Sequence, residues 1–157
     1  MGSGKTTIGK MLANALQYDF VDTDKKIVDT EEMSIPNIFK NKGESYFRKI
    51  ESKVLHAMMG QQRQVVSTGG GVVTIEENIP ILRQGIVIYL EATPKHIYKN
   101  VKKDTSRPLL QKPDVYGTIC SMLEDREELY KKSSKYVVSV DGKTPQEICT
   151  EILQCIK

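Results

Sequence analysis

Apolar residues along this chain switch between helical and strand spacing, and the switching defines a succession of elements. Ile8, Leu12, Ala15 and Leu16 fall at helical intervals within residues 5–17. Residues 18–22 (YDFVD) form a short strand that ends in acidic residues. Residues 24–32 are mostly charged, yet Ile27 and Val28 support a short helix. Ser34-Ile35-Pro36 starts another, with Ser as cap and Pro in the first turn, and Gly43 closes it. A stronger helix is expected over 44–59, where Phe47, Ile50, Val54, Leu55 and Met58 make one apolar stripe.

Strands are expected at 64–67 and 86–90, the second a near-continuous apolar run of the kind buried on both faces. Between them Thr68 leads into Gly69-Gly70-Gly71, and residues 75–84 carry a helical pattern interrupted by Pro80. A helix over 94–102 precedes residues 103–115 (KDTSRPLLQKPDV), whose prolines and charges predict a mobile loop. A helix over 116–132, a strand over 136–140 and a last helix follow. That helix opens on Thr144-Pro145-Gln146-Glu147, a capping-box pattern, and sets Ile148, Ile152 and Ile156 on one face. Strands alternating with helices imply a parallel sheet covered on both faces, an α/β architecture. With no Pro/Gly/Ser-rich linker, residues 1–157 are expected to form one domain.

Composition narrows the function classes. Apolar residues at 39% and charged residues at 27% describe an ordinary soluble protein, not a disordered or fibrous one. Twenty-three Lys and Arg against 20 Asp and Glu leave +3, too little to argue for nucleic acid or membrane binding on charge. No apolar run approaches the ~18 to 20 residues of a spanning helix, and no signal-peptide pattern opens the chain. Cys120, Cys149 and Cys155 form no CxxC and have no nearby His pair, which disfavours a disulfide framework or zinc site and fits a reducing cytoplasm.

Four stretches carry chemistry. Gly2-Ser3-Gly4-Lys5-Thr6-Thr7 runs into the first helix and matches the second half of the phosphate-cradling pattern G-x-x-x-x-G-K-[ST]. Its glycines let backbone N–H groups point at phosphate oxygens, and the helix N-terminus adds a favourable dipole. Lys5 is then expected to reach the β and γ phosphates, and the Thr6 hydroxyl to hold Mg²⁺. Asp22-Thr23-Asp24 follows the first strand, at the carboxyl ends where parallel α/β sheets bind ligands. A helix cap plus a surface acid would also explain it. Beside a phosphate loop, however, both aspartates become candidates for Mg²⁺ support and for gripping or deprotonating a substrate hydroxyl. Thr68-Gly69-Gly70-Gly71 has more glycine than a tight turn needs, which suggests close approach of the backbone to a ligand. Arg48, Arg107 and Arg126 offer planar forks to carboxylate or phosphate, although each alone equally fits a solvated charge.

Taken in order, MGSGKTTIGK, FVDTDKKI, SIPNIFKNKGESYFRKIE, VVSTGGGVV, VIYLEAT, SRPLL and REELY resemble the shikimate kinase family over essentially the whole chain. The resemblance implies a three-layer P-loop kinase fold, its parallel sheet flanked by helices, and ATP-dependent phosphorylation of the 3-hydroxyl of shikimate. It implies that Gly2, Ser3, Gly4, Lys5, Thr6 and Thr7 hold ATP and that Thr6 and Asp22 hold Mg²⁺. Asp24 would grip the shikimate hydroxyls and act as base. Arg48 and Arg126 would clamp the carboxylate, with the backbone of Gly70 and Gly71 against the substrate. Residues 24–60 become the substrate-binding region and 103–115 a lid. From that lid Arg107 would close over the phosphates, joining Lys5 and Asp24 as the catalytic set and excluding water. The adenine side is a looser match: Lys143-Thr144-Pro145 lies near the base in the family, and Lys102 and Lys103 stand where an arginine would precede the lid.

The family pattern also has an apolar strand and a glycine ahead of the position of Met1, in the middle of a five-stranded sheet. Only four strands are expected here. The central first strand is thus expected to be absent, leaving two unpaired inner edges, and the start at Met1 to be internal to a longer reading frame. Two alternatives stay open beside the kinase: a truncated relative that is non-catalytic or binds nucleotide weakly, and a kinase for another small hydroxy acid such as gluconate. Expected partners are a small-molecule substrate, without nucleic acid or membrane, and the protein is expected to be a monomer.

Overall fold

The computed structural model describes every residue except Met1, Met59, Lys103 and Thr105. The first residue of the loop motif, the expected end of the 44–59 helix and two positions of the 103–115 loop, Lys103 among them, therefore lie outside the described residues.

Helix α1 (Lys5–Leu16) starts at Gly4, whose φ of 85° suits a residue without a Cβ. It stops at Gln17, whose backbone N–H returns to the Ala13 and Asn14 carbonyls. Strands β1 (Asp19–Asp22) and β2 (Gln64–Ser67) pair in parallel, Asp19 opposite Gln64 and Asp22 opposite Ser67. They are joined through α2 (Thr23–Glu31) and α3 (Ile35–His56), the latter broken at Gly43 with φ 82° and ψ 168°. After β2 come two 3₁₀ turns, Val72–Thr74 and Glu76–Asn78, then the short α4 (Ile79–Leu82) and β3 (Ile88–Glu91). β3 pairs in parallel with β4 (Tyr136–Ser139), Ile88 opposite Tyr136. Helices α5 (Pro94–Val101) and α6 (Val115–Ser133) make that crossover, and α7 (Pro145–Ile156) follows with its Thr144–Glu147 capping box formed on both sides.

The core is built in three clusters. The largest joins Ile8 and Leu12 of α1 to Ile97 and Val101 of α5, Ile119 of α6, Val138 of β4 and Ile148 and Ile152 of α7. A second gathers Leu55, Val72, Val73, Ile81 and Leu82, and a third locks α2 to α3 through Ile27, Ile38, Phe47 and Ile50. No helix among the described residues is long and apolar enough to cross a membrane.

As expected for a sheet without its central strand, the described strands form two parallel pairs, β1–β2 and β3–β4, with unpaired inner edges. A cavity of about 480 Å³ lies against both inner strands, lined by Val65 and Val66 of β2, Ile88 and Leu90 of β3, Ile8 and Leu12 of α1, and Ile152 of α7. This division also corrects the expectation for 86–90. The strand runs 88–91 and all four of its residues are only partly buried, because open space replaces packing along one edge, while Ile86 is exposed. Residues 75–84 are not one helix. Fully buried Asn78 donates its side-chain amide to the Val72 carbonyl at 2.9 Å and holds the segment as short turns, with Pro80 in the first turn of α4. Within 103–115, Pro108–Leu110 forms a 3₁₀ turn that buries Leu110 against the main core. Ser34 occupies the cap position of α3 without a side-chain cap bond, and the helix expected over 44–59 ends at His56. The remaining boundaries hold to within a residue.

The junction that aims the phosphate loop is tight. Gly9 of α1 is buried against β1, and a Cβ there would approach Cε2 of Phe20 to 2.7 Å. Gly9→Ala is therefore expected to destabilise the fold by about 1–3 kcal/mol through overpacking, despite alanine's better helix propensity. A urea-denaturation midpoint equal to or above that of the unsubstituted chain would show that α1 can draw away from β1 without cost.

Candidate active site

The loop that ends at Lys5 is shaped by the helix beside it. Gly2 has φ 63°, and a Cβ there would meet Val101 Cγ1 of α5 at 2.9 Å. Asn100 Nδ2, also on α5, donates to the Gly2 carbonyl at 2.7 Å. Gly4 offers no side chain to cap the first-turn N–H groups of α1, at Lys5, Thr6 and Thr7, so they stay available to an anion. Ser3 is buried, and it shares with Lys5 a cavity of about 80 Å³ that Thr68, Gly69 and Gly70 also line.

Asp22 does two jobs at the end of β1. Its Oδ1 caps α2, accepting from the backbone N–H groups of Asp24 at 3.0 Å and Lys25 at 3.3 Å. Its Oδ2 accepts from the Thr6 hydroxyl at 3.1 Å. Among the described residues no group of three or more His, Cys, Asp or Glu could cage a metal ion. A hydroxyl beside one carboxylate does suit Mg²⁺, which keeps several waters and takes its remaining ligands from phosphates. The intervening Thr23 is buried, and its hydroxyl accepts the Gly69 N–H at 3.1 Å. The phosphate side and the glycine loop after β2 are thereby joined through one dipeptide.

Asp24, Arg48, Gly70, Gly71, Arg107 and Arg126 all line a single pocket of about 360 Å³. They come from the start of α2, the middle of α3, the loop after β2, the 103–115 segment and α6, so only the tertiary fold unites them. Arg48 is held most firmly. Its Nη1 donates to Glu51 Oε2 at 2.7 Å and its Nη2 to Glu44 Oε1 at 3.0 Å. The Arg48 side chain is 11% exposed and that of Glu51 only 1%. Burial works against the Arg48 charge, but Glu51 and Glu44 outweigh it and raise its pKa further. The glycines beneath follow from this pair. A Cβ at Gly71 would overlap the Arg48 guanidinium, and one at Gly69 would overlap the Glu51 carboxylate. Arg107, half-exposed, donates through Nε to Asp104 Oδ2 at 2.7 Å.

Electrostatics tie the pocket to the loop. Burial, with Arg107 adding to it, lowers the pKa of Lys5, while Asp24 and Asp22 oppose the shift. Burial and then Asp22 raise the pKa of Asp24, against Lys5, Arg107 and Arg48. A carboxyl with a raised pKa beside a lysine with a lowered one is the arrangement expected where proton transfer and anion binding meet.

The sequence reading missed Glu51, Thr23, Asn100 and Tyr130. Glu51 could have been suspected from the i, i+3 spacing Arg48-x-x-Glu51, and Tyr130 from the i, i+4 spacing to Arg126. The other two act through contacts with residues distant in the chain, which spacing does not reveal.

A pocket of this kind beside a phosphate loop places the chain among the small α/β kinases built on that loop. A family model described as shikimate kinase matches residues 1–157, and the chain belongs to the shikimate kinase family. A shikimate kinase of Nostoc punctiforme is 38% identical over 156 residues, covering 99% of this chain and 86% of the relative. One of Caldanaerobacter subterraneus is 40% identical over 155 residues, covering 98% of this chain and 90% of the relative. Among solved structures, shikimate kinase from Acinetobacter baumannii in complex with shikimate superposes with a TM-score of 0.97 at 34% identity. That likeness covers 99% of this chain and 88% of the other. The enzyme from Aquifex aeolicus gives 0.86 at 34% identity, covering 99% and 91%.

The Arg48–Glu51 pair generates a stability prediction with a pH signature. Removing Arg48 leaves a buried, unpaired carboxylate, so Arg48→Ala should cost about 3 kcal/mol of unfolding free energy at neutral pH. The Glu51 pKa is already raised by burial, with Arg48 opposing the rise. A carboxyl whose folded-state pKa lies above its unfolded value stabilises the fold at low pH and loses that contribution as pH rises through the folded value. Loss of Arg48 enlarges the shift. The difference in urea midpoint between variant and unsubstituted chain should therefore be greatest near about pH 8 and shrink toward about pH 5. A difference independent of pH would mean that Glu51 is not the group left uncompensated.

Proposed function

We propose that this chain transfers the γ-phosphoryl group of ATP to the 3-hydroxyl of shikimate, forming shikimate 3-phosphate and ADP. The observation that carries the proposal is the single pocket in which Asp24, Arg48, Gly70, Gly71, Arg107 and Arg126 converge, next to Lys5. A substrate with a carboxylate at one end and hydroxyls at the other needs bidentate arginine opposite a carboxylate acceptor, and those types face one pocket here.

Arg48 and Arg126 receive the substrate carboxylate, with the Gly70–Gly71 backbone against the ring. Asp24 accepts a hydrogen bond from the attacking hydroxyl and takes its proton as transfer proceeds; its raised pKa brings its basicity closer to the working pH. The N–H groups at the start of α1 and the Lys5 ammonium hold the β and γ phosphates. Mg²⁺ held at Thr6 and Asp22 would neutralise charge on the transferring group. Residues 103–115 act as the lid of a single catalytic domain, and Arg107 swings from Asp104 to the phosphates when the lid closes. Residues 24–60, locked together by the Ile27–Ile38–Phe47–Ile50 cluster, form the substrate-binding region. The reading places the enzyme in the cytoplasm, supported by three cysteines that are all free.

Shikimate-dependent ADP release, followed by a coupled assay, tests the proposal. Arg126→Ala should raise the KM for shikimate about tenfold or more, the loss expected for a charge-assisted pair, while the KM for ATP stays within about twofold. Equal effects on both substrates would contradict the carboxylate role of Arg126, and absence of shikimate-dependent turnover would overturn the function.

A further inference from the structure

The two strand pairs carry different halves of the carboxylate pocket. Arg48 and the glycine loop belong with β2 and α3, whereas Arg126 stands on α6, which crosses from β3 to β4. Tyr130 of α6 touches both halves. Its ring stacks on Tyr89 of β3, with centroids 5.0 Å apart and planes at 24°. Its hydroxyl donates across the divide to the Gly70 carbonyl at 2.5 Å. Arg126 stands one helical turn earlier on α6, and its charge acts on the Tyr130 hydroxyl.

We propose that Tyr130 is a positioning residue that sets the separation between Arg126 and the Gly70–Gly71 loop, and thereby tunes affinity for the carboxylate substrate. The role follows from its two contacts and its place on α6. The stack fixes the ring on the β3 half, and the bond to Gly70 fixes the loop after β2. Arg126, one turn away on the same helix, is thereby held at the edge of the pocket that both arginines line. Burial raises the pKa of the hydroxyl, so it stays protonated and able to donate across the working pH range. Tyr130 lines the smaller cavity beside Lys5 and Gly70 and not the pocket of Asp24, Arg48 and Arg126, so it acts on that pocket through Arg126 and Gly70.

The inference rests on the shikimate reading above, and the test separates the two. Tyr130→Phe keeps the stacked ring and removes only the hydroxyl; Tyr130→Leu removes both. In the full chain, Tyr130→Phe should raise the KM for shikimate about five- to tenfold, the scale of one lost hydrogen bond near a charge. The KM for ATP and kcat should stay within about twofold, and the Tm should stay close to that of the unsubstituted chain. Tyr130→Leu should add a clear fall in Tm. A Tyr130→Phe variant with unchanged KM for shikimate would overturn the proposal. So would one whose kcat and both KM values move together with Tm, since that is the mark of a purely structural residue. Absence of shikimate turnover by the unsubstituted chain would overturn both this inference and the function on which it rests.

Discussion

One buried ion pair organises the substrate side of this protein. Glu51, almost fully enclosed, is pushed toward its neutral form by burial and back toward its charged form by Arg48, and Arg48 is fixed in direction by answering it. The other consequences are steric. Gly69 and Gly71 have no room for a side chain because the two charged groups occupy that space. The break at Gly43 lets the second half of α3 present Arg48 and Glu51 while its first half packs on α2. With Nη1 answering Glu51 and Nη2 answering the half-exposed Glu44, the guanidinium is held at the edge of the pocket that Arg126 and Arg107 also line.

The loop ahead of α1 follows a different logic, in which backbone contacts set the shape. Gly2 is pressed between Asn100 and Val101, and Gly4 turns the chain into α1, so the loop's shape is imposed by α5 as much as by its own glycines. Thr23 and Asp22 connect this loop to the glycine loop after β2. Lys5 and Asp24, each pushed toward its neutral form by burial, sit where the two sides meet. Tyr130 then spans from β3 to the β2 loop across the division of the sheet.

Much of this was readable from spacing. Three of the four strands and the final capped helix fall within a residue of where periodicity and end signals put them, because those signals are local. The glycine loop before α1 was equally legible, since a turn that must bare its N–H groups leaves a compositional trace. The apolar spacing of residues 75–84 matches a helix, but buried Asn78 and Pro80 hold them as turns. Glu51 stands in the run that resembles the family, but only packing under Gly69 reveals its burial. Thr23 and Asn100 make contacts 46 and 98 residues away, beyond the reach of any local pattern.

The central claim is that this pocket delivers a phosphoryl group to a hydroxyl of a carboxylated substrate and not to water. Phosphorus-31 NMR of the purified chain with MgATP and shikimate tests it most directly. The account predicts that the γ-phosphate signal is lost while ADP and one new phosphomonoester appear in equal amounts. Inorganic phosphate in place of the monoester, or an unchanged ATP spectrum, would contradict it.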